Sequence, residues 1–416
     1  MTAPDAQLTA DPEPATAARQ ADLAIAVLTY NNAETVGPVA AAIAGALRGA
    51  FADVPAALVH ADAGSADDTV ERLAGAGLRP VRVPYQAPAG ERVTVPFHGI
   101  PGRGAALRAV LEAAQGLGAR ALVVVEADCV TVTPEWIERL ARPILDAKAD
   151  FVSAAYARHR YDGTITKLVL SPLIRVLYGR RLQQPFGGQL ALSTRLVDHL
   201  LVHPKWDWRG RDVTDLWIAG TAIADGFSVY EAWLGRHVIR SRTRTTDLPT
   251  MTAQTVGSVF TVMDRHEDLW LEVRGSEPLP AVGEPVPASA EPTAVDIERM
   301  LDGFRRGARD LIPIWEHVLS PDSLGEILSL DAGDASGFVF PDVLWARVVY
   351  DFALGHHYGV VHRDHLLRSL VPLYLGRAAA YVAATQRLDG SGSDAVLERS
   401  AEAFEREKPY LVEHWR

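Results

Sequence analysis

The stretch Arg120-Ala121-Leu122-Val123-Val124-Val125-Glu126-Ala127-Asp128-Cys129 decides the fold. Its apolar run, mostly β-branched, follows a small-residue helix pattern and stops at two carboxylates. Such a run predicts a strand buried on both faces of a parallel sheet, with acid at its C-terminal tip. Glu126 and Asp128 stand two apart, so an extended backbone would send both side chains off one face. In open α/β sheets, ligands collect beyond the strand C-termini. Two acids there suit Mg²⁺ or Mn²⁺, which combine carboxylate oxygens with oxygens from a substrate. A plain turn or helix cap carries the same triplet, so the reading depends on the rest of the chain.

Upstream, Leu23 to Thr29 is a compact apolar run ending in Tyr30-Asn31-Asn32-Ala33-Glu34-Thr35, and a helix pattern runs from Val36 to Leu47. Ala56 to Ala61 predicts a second strand, ending in Asp62-Ala63-Gly64-Ser65-Ala66-Asp67-Asp68-Thr69. Ser65 or Asp67 is placed to cap a helix starting near Thr69. Two polar strand-to-helix turns imply a doubly wound nucleotide-binding half. Pro101-Gly102-Arg103-Gly104 then opens a helix, where backbone amides can hold phosphate. It departs from the dinucleotide fingerprint, because the third glycine is absent and no strand feeds directly into it.

Downstream, the pattern predicts a helix over Pro134 to Leu145 and a strand over Phe151 to Tyr156, followed by the polar stretch Arg158 to Lys167. Gln184-Pro185-Phe186-Gly187-Gly188-Gln189 follows, its glycines permitting close backbone approach to a ligand. Trp206-Asp207-Trp208 and Val213-Thr214-Asp215-Leu216-Trp217 precede a helix through Ala224, and a strand from Phe227 to Trp233 leads to Gly235-Arg236-His237. Gly275 to Pro292 is rich in proline and reads as a flexible or extended connector. Amphipathic stretches at Ile297 to Leu311, Val343 to Leu354 and His365 to Ala384 predict a helical second unit. The expected organisation is a disordered tail (1–20), an α/β domain (21–245), a helix and Pro-rich connector (246–292) and a helical C-terminal domain (293–416).

The chain has 416 residues and 48% hydrophobic content, enough for this organisation. No apolar run approaches the ~18 residues of a membrane span, and the first twenty residues lack a signal core, so cytoplasm is the expected location. The lone cysteine, Cys129, excludes an internal disulfide and a cysteine-based zinc site, and reads as a small buried residue. A net charge of −11 argues against nucleic acid. The run from Arg175 to Arg181 is a local basic patch suited to an anionic substrate. His356, His357, His362 and His365 read as a packed or solvated cluster.

Taken in order, these motifs resemble the GT-A nucleotide-sugar glycosyltransferases of the family-2-like group. Within it they are most similar to the retaining enzymes that make mannosylglycerate, glucosylglycerate or glucosyl-3-phosphoglycerate. The resemblance implies a GT-A fold, an α/β doubly wound mixed sheet with a C-terminal helical unit. It implies a hexosyltransferase using Mg²⁺ or Mn²⁺, a GDP- or UDP-hexose donor and a glycerate-like acceptor, and it leaves room for a homodimer. Thr29, Glu34 and the Asp62 turn would contact the nucleoside. Gly102, Arg103 and Gly104 stand where such enzymes usually have Gly-Lys-Gly beside the nucleotide, and Arg keeps the charge while changing its geometry. Asp128 and His237 match the metal ligands, while Glu126 stands near the ribose and sugar where the group more often has Asp. Thr166, with either Arg158 or Arg160, would hold the acceptor carboxylate. Gly187, Gly188 and Gln189 replace a Gly-Gly-Glu facing the transferred sugar. Asp215 matches the position of the inverting enzymes' base and is assigned here to positioning sugar or acceptor.

Two rivals stay open. A nucleotidyltransferase would open with a glycine-rich basic loop after the first strand, where this chain has Thr29-Tyr30-Asn31-Asn32-Ala33-Glu34. A non-catalytic sugar-nucleotide-binding protein is suggested by the departures at Glu126, Arg103 and Gln189.

Overall fold

The computed structural model describes residues 20–415, apart from 76, 94, 207–213, 241–246, 287, 290, 292, 331–334 and 336. The expected disordered tail, save Gln20, and Asp207, Trp208 and Val213 lie outside the described residues.

The apolar runs build one mixed sheet. Its strands are β1 (Leu23–Thr29), β2 (Ala56–Asp62), β3 (Val81–Arg82), β4 (Ala121–Glu126), β5 (Phe151–Ala157), β7 (Leu190–Ser193), β8 (Val229–Arg236) and β10 (Ala281–Val282). β6 (Arg180–Arg181) and β9 (Glu277–Pro278) form a separate two-stranded ribbon. The order across the main sheet is β10-β8-β5-β7-β4-β1-β2-β3. β1 runs parallel to β2 and β4, whereas β7 is antiparallel to both β4 and β5.

Alternation along β1 explains why every one of its residues is buried. Leu23, Ile25 and Val27 pack with the helices Val36–Arg48 and Pro134–Leu145, while Ala24, Ala26 and Leu28 face the helix Arg103–Gly116. Successive side chains of a strand leave opposite faces, so a sheet clad on both sides needs an unbroken apolar run. The parallel register then aligns the ends of β1, β2 and β4, with Thr29 opposite Asp62 and Leu28 opposite Glu126.

The helices from Ile297 onward join the core on one sheet face, and no apolar break separates them from it. Trp315, Trp345, Tyr350, Tyr381 and Phe404 belong to the same buried cluster as Leu122, Val124 and Leu173. Trp345 crosses between the two parts, its indole N–H donating to Leu168 O at 2.8 Å.

Three expectations change. β4 ends at Glu126 and Asp128 lies in the following turn, so the two acids do not share an extended backbone. The proline-rich stretch is pinned rather than loose: Glu277–Pro278 pairs with Arg180–Arg181, Ala281–Val282 extends the main sheet, and Ser289 bridges to His159. The Arg175–Arg181 run is no anion patch, because Arg175 is buried against Glu398 and Glu405, Arg180 pairs with Glu277 and Arg181 lies 3.7 Å from Glu398. Their charges are neutralised by acids far away in sequence.

Candidate active site

The aligned strand tips form the floor. Thr29 is fully buried, its hydroxyl donating to Asp62 Oδ1 at 2.6 Å and lying 2.8 Å from His60 Nε2. Asp62 also accepts from the Ser65 hydroxyl and from the amides of Gly64 and Ser65. Burial pushes the Asp62 carboxyl up, but these hydrogen bonds outweigh it and hold the group below its ordinary value. Asp62 therefore organises the turn after β2, and Asp67 Oδ1 accepts from Thr69 N to start the helix beyond. Glu34 is exposed on the turn after β1.

Glu126, at the tip of β4, is buried and faces an imidazole from the far side of the sheet. His237 follows β8 directly, and its Nε2 lies 3.4 Å from Glu126 Oε2. Backbone pairing brings the two segments together: Val130 N donates to Val238 O, Arg240 N donates to Asp128 O, and Cys129 bridges Ile239. Asp128 and His237 thus sit at the same end of the sheet. Cys129 is buried, which pushes its thiol up to about 11, as a structural residue would be.

His237 is held on its other side by Arg158, whose Nη2 is 3.0 Å from Nδ1. A guanidinium can only donate, so Nδ1 accepts and the Nε2 edge carries the proton toward Glu126. Tyr156 stacks flat on the imidazole, with centroids 4.1 Å apart and planes at 18°, and Arg158 lies over the same tyrosine ring at 5.2 Å. The Tyr156 hydroxyl contacts Gly187 O and the Gln189 side-chain oxygen. Gly188 has φ +74, and a Cβ there would lie 2.1 Å from the Glu126 carboxyl carbon, so only glycine lets this loop close over the acid. Among the described residues, Arg158 Nε and Gln189 Nε2 are buried without a hydrogen-bond partner.

Arg103 of the glycine loop does not stand alone. It makes a two-pronged ion pair with Asp215, at 2.7 and 2.6 Å, with both side chains buried. The loop is fixed from behind by Glu91, which accepts from Gly102 N at 2.7 Å, and by the Tyr85 hydroxyl, which donates to Pro101 O. Gly102 has φ +65 and packs against Ala87, while Gly104, two residues along, is half-buried.

Of the two candidate acceptor arginines, Arg160 is buried and donates to the carbonyls of Thr385, Gln386 and Leu388. That closes the end of the helix Arg363–Thr385, a structural duty. Arg158 is left beside His237. Thr166 is half-buried at the start of a π-helical turn, Thr166–Leu170.

A cleft of about 1290 Å³ opens beside the glycine loop, walled by Tyr85, Phe97, His98, Arg103, Arg108 and Gln254 and by Arg363 and Arg368 of the C-terminal helices. A small pocket lined by Asn32, His98, Arg103, Glu126 and Asp128 shares His98 and Arg103 with it. The acids at the strand tips therefore adjoin an open cleft.

Residues 24–194 match the description of Glycosyl transferase family 2. The chain carries a family 2 glycosyltransferase domain. No curated protein matches it. Among solved structures it is similar to glucosyl-3-phosphoglycerate synthase from Mycobacterium tuberculosis in complex with Mg²⁺ and uridine-diphosphate, with 22% identity, 59% of this chain and 80% of that chain covered, and a TM-score of 0.43. It is likewise similar to the same enzyme with Mn²⁺ and UDP-glucose, with 23% identity, 59% and 79% coverage and a TM-score of 0.44. A third similar structure holds that enzyme with Mn²⁺, UDP-glucose and phosphoglyceric acid, with 22% identity, 59% and 80% coverage and a TM-score of 0.43.

The matched range of this glycosyltransferase contains Asp62, Arg103, Glu126, Asp128, Arg158 and Gly188, but it stops short of Asp215 and His237. Folding returns those two to the same floor. Among the described residues, no helix of the glycosyltransferase is long and apolar enough to cross a membrane. Sequence reasoning missed Tyr156, which binds the His237 ring and the glycine loop together, and Glu91, which anchors Gly102. An aromatic at a strand's last buried position was a signal for the first; the second carried none.

Proposed function

We propose that this glycosyltransferase moves a hexose, glucose or mannose, from a UDP- or GDP-sugar to D-glycerate or a similar small hydroxy acid, with retention of configuration. The observation that carries the reading is Arg158, just after β5, hydrogen-bonded to His237, just after β8, beside Glu126 at the tip of β4. A carboxylate-binding guanidinium stands there beside a group assigned to the diphosphate's cation.

The donor set at the strand tips is two buried carboxylates and an imidazole, which fits a divalent cation such as Mn²⁺ or Mg²⁺. Asp128 and His237 would hold it, His237 through Nε2 with its proton moved to Nδ1 and the bond from Arg158 given up, and when bound it would supply Lewis-acid stabilisation to the departing diphosphate. The chain's own residues do the rest. Thr29, Asp62 and the turn after β1 form the nucleoside end. Gly188 brings its backbone against Glu126 and, with Gln189, frames the sugar. Arg158 and Thr166 orient the acceptor, Arg by a two-pronged grip on carboxylate.

Asp215 is occupied by Arg103 and is a poor candidate for a base, which favours retention. The acceptor hydroxyl attacks from the leaving-group face, and the leaving phosphate oxygen takes its proton. A phosphorylated acceptor is the second reading, favoured by the size of the cleft and the exposed Arg368 on its rim.

The test is a panel of UDP- and GDP-hexoses against glycerate, 3-phosphoglycerate and related hydroxy acids, with and without Mg²⁺ or Mn²⁺, with the product anomer read by NMR. Metal-dependent transfer to glycerate with the donor's anomeric configuration is expected. An inverted product, or no transfer to any hydroxy acid, overturns the proposal.

A further inference from the structure

We propose that His199, His203 and Asp225 form a binding site for a zinc-class transition-metal ion, separate from the sugar-nucleotide site. Among the described residues they are the one group of three metal-ligating side chains whose donor atoms all lie within 4.8 Å of one another.

The fold explains the convergence. His199 lies on the helix Thr194–Val202 and His203 is its C-cap, so the two project from one face at helical i, i+4 spacing. Asp225 follows the helix Thr214–Ala224, with its amide tied to Thr221 O. Asp225 Oδ2 is 2.6 Å from His199 Nε2 and 3.5 Å from His203 Nε2. Both rings are walled by aromatics that fix their planes: His199 against Phe227 at 5.1 Å and His203 against Trp217 at 5.3 Å.

The site lies at the far end of the sheet. Ser193, just before the histidine helix, pairs with Ala121 at the start of β4, and Val229, just after Asp225, pairs with Phe151 at the start of β5. These are the N-terminal ends of strands whose C-terminal ends carry the sugar-nucleotide residues. The two sites therefore share no ligand.

Donor chemistry selects the ion. Two imidazole nitrogens and one carboxylate oxygen suit Zn²⁺, Co²⁺ or Ni²⁺, whereas Mg²⁺ favours oxygen alone. A tetrahedral ion with bonds of about 2.0–2.1 Å holds its donors roughly 3.3 Å apart. The His203 gap already fits, and the His199 gap opens by rotation of an Asp225 side chain that is 34% exposed. Coordination through His203 Nε2 moves that ring's proton to Nδ1 and gives up the 3.2 Å bond from Lys205 N. One such exposed bond is weak, because water replaces it, and it does not oppose coordination. Water completes the fourth position.

The experiment uses the full chain carrying His237→Ala, stripped by chelation, so that the donor site lacks its imidazole and does not compete for the probe, with the otherwise wild-type chain titrated beside it. Zn²⁺ is titrated by calorimetry and Co²⁺ by visible absorption. One Zn²⁺ per chain and the absorption of four-coordinate Co²⁺ are expected. His203→Ala and Asp225→Asn should each weaken Zn²⁺ binding roughly tenfold or more and, in the chain that keeps His237, leave sugar transfer unchanged, and the partly exposed His199→Gln should do the same with the least risk to folding. His357→Ala, which alters an unrelated histidine paired with Asp264, should leave affinity unchanged. Equal Zn²⁺ affinity in the wild type and all three site variants, or binding lost only in His237→Ala, overturns the proposal.

Discussion

Arg103 and Asp215, 112 positions apart, lock together in a buried two-pronged ion pair that ties the glycine loop to the start of the helix Thr214–Ala224. One partner comes from the nucleotide half and the other from beyond the matched glycosyltransferase range. Removing either breaks a two-pronged buried ion pair. Asp215→Ala should therefore lower unfolding free energy by about 3–5 kcal/mol, measured by urea denaturation. Arg103→Met with Asp215→Leu should recover much of that loss, because two apolar groups leave no charge stranded.

Asp128→Ala and His237→Ala should each abolish sugar transfer while the far-UV circular dichroism stays native. Mn²⁺-dependent binding of the nucleoside diphosphate should weaken in parallel, read by calorimetry. Full metal-dependent activity in either variant would sink the assignment of the cation to these two residues.

Arg158→Ala should raise the acceptor KM with little change in donor KM, since its guanidinium stands beside His237. Arg160→Ala should behave oppositely: acceptor KM unchanged, with a lower Tm, because three backbone carbonyls at the end of the helix Arg363–Thr385 lose their donor. Swapped outcomes would assign the acceptor to Arg160.

Gly188→Ala should remove nearly all activity, since φ +74 and a clash with the Glu126 carboxylate act together. Gly187→Ala meets only 3.4 Å contacts and should be tolerated much better. Comparable kcat values for both variants would show that the loop does not need its close approach to Glu126.

Burial lowers the pKa of His266 from 6.5 to about 4, and its Nδ1 is 2.7 Å from the Tyr178 hydroxyl. The folded state thus prefers the neutral ring. Above pH 6.5 its contribution is complete; as pH falls toward 4 the unfolded chain takes up a proton that the folded chain refuses, and stability drops. Unfolding free energy measured at pH 7 and pH 5 should show this loss, and His266→Gln should show less of it.

Much of this was legible before folding. The runs Leu23–Thr29 and Pro134–Leu145 were bounded to the residue, because a strand clad on both faces and a helix opened by proline leave local marks. Gly188 was marked as a close-approach position, though what it approaches is a carboxylate from β4. Other readings failed where the deciding partner was distant. The Arg175–Arg181 run reads as a cationic patch until Glu277, Glu398 and Glu405 fold against it. The proline-rich stretch reads as a linker until β6 and β8 offer it partners. Arg158 and Arg160 are equivalent on paper, and only the carbonyls at the end of the helix Arg363–Thr385 separate them.

By itself, the sequence determined the run of β1, the acid that ends β4 and the glycines that let loops approach, since these follow from periodicity and backbone freedom over a few neighbouring residues. Tertiary structure alone decided which charges are spent on one another: Arg103 on Asp215, Arg160 on helix carbonyls, His237 on Glu126 and Arg158. The physical reason is that an ionic or hydrogen-bonded partner is chosen by distance in space, and residues this far apart along the chain, 79 positions for Arg158 and His237 and 112 for Arg103 and Asp215, carry no local trace of meeting.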